Sequence, residues 1–193
     1  MNQFKAFQFK ITLLDTKPAV WRRIVIPTVF SFHEFHSAIQ AAFGWENSHL
    51  FEFSKNGLID PEGGGIGYED EETGSIDANG IPLDSIFRKV GDQFKYIYDF
   101  GDYWDHQVVL EKIMVKEMYV PHCLTGKNEC PPEDVGGVHG YREMVRVFAE
   151  GPASEKASYR RWLGLRAGED WDPTYYSQRE TNKRMSLLTL FNR

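Results

Sequence analysis

Apolar positions along the chain recur with two periods, two residues in some segments and three to four in others, and the switches between them predict the elements. Phe7, Phe9, Ile11 and Leu13 alternate with Gln8, Lys10 and Thr12, the pattern of a strand with one buried face. Asp15-Thr16-Lys17-Pro18 is a turn, and 20–26 reads as the returning strand closed by Pro27, so a β-hairpin opens the fold. Ser31 and Glu34 have the S-x-x-E spacing of a capping box. Phe32, Phe35, Ile39, Ala42 and Phe43 then follow helical spacing up to Gly44. Residues 49–53 alternate again as a strand. A Gly-rich acidic stretch, 57–82, reads as a loop, and 83–90 as a short helix begun near Asp84.

A second hairpin is predicted over 94–111. Phe94, Tyr96, Tyr98 and Phe100 share one face of its first strand. After a turn at Gly101-Asp102, Trp104, His106, Val108 and Leu110 share a face of the second. The segment 121–140 reads as irregular. Tyr141, Met144, Val145 and Phe148 mark a helix, Ser154 is the expected cap of another running through Trp162, and Asp172-Pro173 suits the start of a last helical stretch. Strands and helices interleave without regular βαβ units. The expected fold is therefore α+β: one domain over 1–193, with antiparallel hairpins forming a sheet packed against several helices.

Composition supports that picture. The 193 residues, 41% hydrophobic and 15% aromatic, suffice for a core without disulfides. No apolar run approaches the ~18 residues of a membrane helix. Met1-Asn2-Gln3-Phe4-Lys5 lacks a signal-peptide pattern, and two cysteines do not make a secreted disulfide scaffold, so a cytoplasmic protein with no membrane partner is expected. The net charge of −6 belongs to one place: Asp60, Glu62, Glu69, Asp70, Glu71, Glu72 and Asp77 lie within 57–82, where there is no Lys or Arg. This argues against a broad nucleic-acid surface but not against a local basic patch. Arg160, Arg161, Arg166, Lys183 and Arg184, with Trp162 and Tyr175, could form such a patch or a merely solvated helical face.

Several motifs occur together in order: Pro18-Ala19-Val20-Trp21-Arg22-Arg23, the segments 36–45 (HSAIQAAFGW) and 49–53 (HLFEF), 98–106 (YDFGDYWDH), 130–137 (CPPEDVGG) leading to Gly140-Tyr141, and Asp172-Pro173. On these the chain resembles the plasmid pRiA4b open-reading-frame-three-like family, a set of largely uncharacterised prokaryotic proteins. The resemblance implies a fold and an association with mobile elements. Some relatives look like insertion-element passengers or carry a resolvase label, but no nucleophile for that activity can be placed here.

Three groups of residues carry candidate chemistry. Asp99, Asp102 and His106 at the second hairpin, with Glu133 and Asp134 between the prolines and glycines of the PPED-GG loop, could bind a divalent cation or act as general acid and base. Asp and Gly also suit plain turns, and His106 falls on a core face. His122, Cys123, Cys130 and His139 are zinc-type ligands, though their spacing matches no common finger, and the cysteines could instead form a redox pair. Arg22, Arg23 and Trp104 are candidate binding residues. One arginine is expected to enter the interior and pair with Asp99, Asp102, Glu133 or Asp134. His36 and His49 read as packed histidines. No G-x-S-x-G, H-E-x-x-H, G-x-G-x-x-G or P-loop sequence is present. The leading expectation is a binding or interaction domain with a protein or nucleic-acid partner. The alternatives are a metal-dependent hydrolase built from the Asp/His/Glu motifs and a small metal-binding or redox module at Cys123 and Cys130.

Overall fold

A computed structural model describes residues 5–57, 64–166 and 168–188. The opening hairpin is β1 (Lys5–Leu13) against β2 (Trp21–Pro27), in the register Phe9 to Ile24 and Ile11 to Arg22. The helix α1 (Phe32–Phe43) follows. Its capping box is complete: the Ser31 hydroxyl accepts the Glu34 N–H, the Glu34 carboxylate accepts the Ser31 N–H, and Gly44 ends the helix. Next come β3 (Phe51–Ser54), the two-residue strands β4 (Ile66–Gly67) and β5 (Ile76–Asp77), and the single-turn α2 (Leu83–Ile86). The second hairpin is β6 (Gln93–Tyr98) and β7 (Trp104–Val115). The edge strand β8 (His122–Lys127) and three helices, α3 (Gly137–Glu150), α4 (Ala153–Trp162) and α5 (Gln178–Leu187), follow.

Among the described residues, eight strands form one open sheet in the order β5-β4-β3-β6-β7-β1-β2-β8, antiparallel except for β4 with β5. The architecture is α+β in a single domain, as the period switches predict. Alternation places Phe9, Ile11 and Leu13 of β1 and Trp104, His106, Val108 and Leu110 of β7 in the core. There α1 lays Phe32, Phe35 and Ile39 across the sheet, and the Phe9, Phe35 and Phe53 rings pack at centroid distances of 4.7 and 5.5 Å.

Four expectations are corrected. Of the acidic stretch 57–82, residues 58–63 lie outside the described residues, and 64–82 is not plain loop, since it adds β4 and β5 to the sheet. The helix expected over 83–90 is a single turn, α2. The segment 121–140 is not wholly irregular, because it contains β8. Among the described residues that strand pairs only with β2; it shifts register between Arg23 and Ile24 and stays half-exposed, so no alternation marks it. Ser154 and Asp172 do not cap helices. The helix α4 begins at Ala153 after Pro152, Asp172 instead accepts the N–H and hydroxyl of Thr174 in a turn, and α5 is capped by Ser177. Among the described residues, no helix is long and apolar enough to cross a membrane.

Candidate functional site

The segment between α1 and β3 is irregular, yet its main-chain donors are used one after another. The Glu46 N–H goes to the Glu133 carboxylate (2.8 Å), the Asn47 N–H to the Gln40 side chain (3.1 Å) and the Ser48 N–H to the Tyr98 hydroxyl (3.0 Å). The Trp45 indole N–H reaches the Pro131 carbonyl at 2.9 Å, fastening the segment to the PPED-GG loop. Beneath it, His36 bonds through one ring nitrogen to the Tyr96 hydroxyl and through the other to Asn47, while stacking on Phe51 at 3.6 Å. Burial holds His36 neutral, its pKa lowered to about 3. His49 emerges from this anchored turn.

Three segments distant in sequence meet at the His49 ring. Asp99 follows β6 in a left-handed conformation (φ 56°). Its Oδ1 accepts the N–H groups of Gly101 and Asp102, and its Oδ2 lies 3.5 Å from His49 Nε2. Glu133 is oriented by the Tyr98 hydroxyl and the Glu46 N–H and brings Oε2 to 3.5 Å from the same nitrogen. Asp134, also left-handed (φ 57°), brings Oδ1 to 3.1 Å. Gly136 and Gly137 turn the loop back (φ 91° and 64°), and at Gly137 a Cβ would stand 2.6 Å from the Asp102 carbonyl oxygen, so no other residue fits there without a shift.

Among the described residues, His49, Asp99 and Asp134 form the one group of three His, Cys, Asp or Glu whose ligand atoms all lie within 4.8 Å of one another. His49 Nε2 is buried and has no hydrogen-bond partner despite its three carboxylate neighbours. The oxygens therefore flank the ring nitrogen rather than lie along its axis. Donors bonded to a tetrahedral ion at ~2.1 Å stand ~3.4 Å apart, close to the 3.1–3.5 Å between His49 Nε2 and the carboxylate oxygens. The donor set of one imidazole and two carboxylates, with Glu133 beside it, suits a first-row divalent ion such as Zn²⁺ or Mn²⁺. The Asp134 side chain is 72% exposed and leaves the group open to solvent on one side.

The sequence profile of the plasmid pRiA4b ORF-3-like protein matches residues 5–180. The chain belongs to that family. It is 37% identical over 186 residues to the uncharacterised protein y4hQ of Sinorhizobium fredii, covering 94% of this chain and 91% of the relative. The crystal structure of MM3350 from Methanosarcina mazei Go1, a protein of unknown function, is similar with a TM-score of 0.77 and 34% identity, over 92% of this chain and 97% of that one. In this family member the segments 49–53, 98–106 and 130–137, which carry the resemblance in sequence, supply His49 and the three carboxylates around its nitrogen.

The remaining candidates are placed elsewhere. Asp102 points away and accepts the Gly136 N–H at 3.1 Å, holding the start of α3. His106 is wholly buried. Its Nδ1 donates to the carbonyls of Tyr96 and Trp104, and burial lowers its pKa to about 3, so it is no proton donor to the carboxylates. Trp104 is likewise a core side chain, closed to any ligand by burial. Neither arginine meets the expected acids. Arg23 forms a two-pronged pair with Glu111 at 2.6 and 2.9 Å, because side chains at even and odd positions of β2 face opposite ways. Arg22 turns inward and donates to the main-chain carbonyls of Ala42, Trp21 and Lys127 instead of a carboxylate.

The four cysteine and histidine candidates do not gather. Cys123 on β8 contacts the Thr125 carbonyl and the Tyr176 hydroxyl, no disulfide joins it to Cys130, and His139 is exposed on α3. Burial pushes the Cys130 thiol pKa well above its usual value, which disfavours the thiolate that a metal or redox role needs. In the basic and aromatic set, Arg160 is engaged by Asp170 at 2.6 Å and Arg184 by the Ala41 carbonyl at 2.9 Å. His49 is the residue that sequence reasoning missed. Its lone signal was membership of a family-like segment, since the partners lie fifty and more positions away.

Proposed function

We propose that this family member is a divalent-cation-binding domain in which His49, Asp99, Glu133 and Asp134 hold the ion. The observation that carries the reading is the buried His49 Nε2, without a hydrogen-bond partner but flanked by three carboxylate oxygens at 3.1–3.5 Å. His49, Asp99 and Asp134 would form the ligand trio, and Glu133, whose oxygen lies 3.5 Å from the same nitrogen, would shift toward the ion to join them. Such an ion would join the turn after α1, the tip of the β6–β7 hairpin and the loop before α3. Tyr98 and the Glu46 N–H would act as supports that aim Glu133. On this reading the ion's role is to set a binding surface where the three segments meet.

The test is metal content after dialysis of the untagged protein against Zn²⁺ or Mn²⁺ and then metal-free buffer. About one equivalent is expected in the wild type and in a Cys123→Ser, Cys130→Ser double variant. His49→Ala and Asp99→Asn should hold little, and Asn is suited to the left-handed backbone at 99. Equal metal in wild type and His49→Ala, or loss in the cysteine variant alone, contradicts the reading.

A further inference from the structure

Behind the PPED-GG loop lies a cleft of about 380 Å³, bounded by the end of α1, residues 129–133 and the segment 171–184. Its size is at the small end of the range for ligand sites. Its walls are aromatic: Phe43, Trp45, Trp171, Tyr175 and Tyr176 all line it. Two arginines border it, and each gives part of its guanidinium to the protein's own acceptors. Arg22, 2% exposed, gives Nε and Nη1 to three carbonyls, with its guanidinium carbon 5.3 Å from the Phe43 ring centre and 4.7 Å from that of Tyr176. The strand β8 approaches so closely here that a Cβ at Gly126 would meet Arg22 Cδ at 2.7 Å. Arg184 gives Nε to the Ala41 carbonyl and Nη2 to the Thr181 hydroxyl.

The acids of the cleft differ from one another in what they already hold. Glu133 is hydrogen-bonded by Tyr98 and Glu180 by the Tyr175 hydroxyl, and Glu46 is exposed. Glu129 is only partly exposed, and among the described residues its carboxylate makes no hydrogen bond or ion pair. Burial raises its pKa in spite of the nearby positive charges of Arg22 and Arg184. Just outside the lining, the Tyr141 hydroxyl is wholly buried without a partner, and burial together with the nearby Glu129 carboxylate raises its pKa. A desolvated carboxylate without a partner is costly, and it gains most from a cation. Aromatic faces attract the same kind of ligand.

We propose that this cleft binds a small organic cation, an amine with an aromatic or alkyl body, whose charged end meets Glu129 and whose body lies among Trp45, Trp171 and Tyr176. The cleft shares Glu133 with the metal centre, but the proposal requires no ion. The probes are tyramine, its neutral counterpart 4-hydroxyphenethyl alcohol, and the anionic 3-(4-hydroxyphenyl)propionate, titrated into the full chain while the indole N–H resonances of Trp45 and Trp171 are followed by NMR. Tyramine is expected to bind at least tenfold more tightly than either analogue. Glu129→Gln should bring the three within about twofold of one another. Trp171→Leu, which keeps every charge, should weaken tyramine at least fivefold. A preference for the propionate overturns the proposal, as does a tyramine preference that survives Glu129→Gln, or no indole shift with any probe at millimolar concentration.

Discussion

Arg22 and Arg23 are neighbours on β2 and face opposite sides of the sheet, and the two sides use the same guanidinium differently. Arg23 and Glu111 remain a quarter exposed, so Arg23→Met should cost less than about 1 kcal/mol in urea denaturation. Arg22 is buried and satisfies three carbonyls at once. Arg22→Met strands those acceptors and should cost about 2–4 kcal/mol, even though no ion pair is lost. A larger loss at Arg23 than at Arg22 would reverse this account. The buried histidines give a pH signature. His36 and His106 have folded pKa values of about 3, below the ordinary 6.5, so the unfolded chain binds more protons and stability falls as pH drops below about 6.5. Each should remove on the order of 2 kcal/mol between pH 7 and 5. His106→Phe should flatten roughly half of that decline, and an unchanged profile would show that the ring is not the titrating group.

At the scale of elements, the best-marked feature of the sequence is also built as read. The Ser31–Glu34 capping box opens α1, and Ser31→Ala should cost about 1 kcal/mol by thermal melting. The two hairpins and α1 were legible because each buries one face, which prints a period on the sequence. What was not legible has no such face. The edge strand β8 is half-exposed and bulged, β4 and β5 are two residues long, and α4 has no buried side chain among the described residues. The loop before α3 depends on backbone geometry that a glycine pair suggests but does not specify. Gly137→Ala would force the chain away from the Asp102 carbonyl and carry Glu133 and Asp134 with it. The expected result is a 10- to 100-fold loss of metal affinity by titration, typical of disturbed support around ligands.

At the scale of the whole molecule, the proposed ion joins three segments that are remote in the chain. This is why the site was only half visible in sequence. Asp99, Glu133 and Asp134 stand out as acids in turns, but nothing local links them to His49, and the histidine nearest Asp99 in sequence is His106, which alternation along β7 buries. An ion bound only by the folded chain should raise stability by about 2.7 kcal/mol at 100 times its dissociation constant, and a chelator should remove that gain. The most direct measurement is anomalous diffraction from crystals grown with Mn²⁺ or Zn²⁺. The account expects one strong peak about 2.1 Å from His49 Nε2, with oxygens of Asp99, Glu133 and Asp134 completing the shell. Crystals soaked with saturating metal that show no peak beside His49, or a peak at Cys123 and Cys130 in its place, would contradict it.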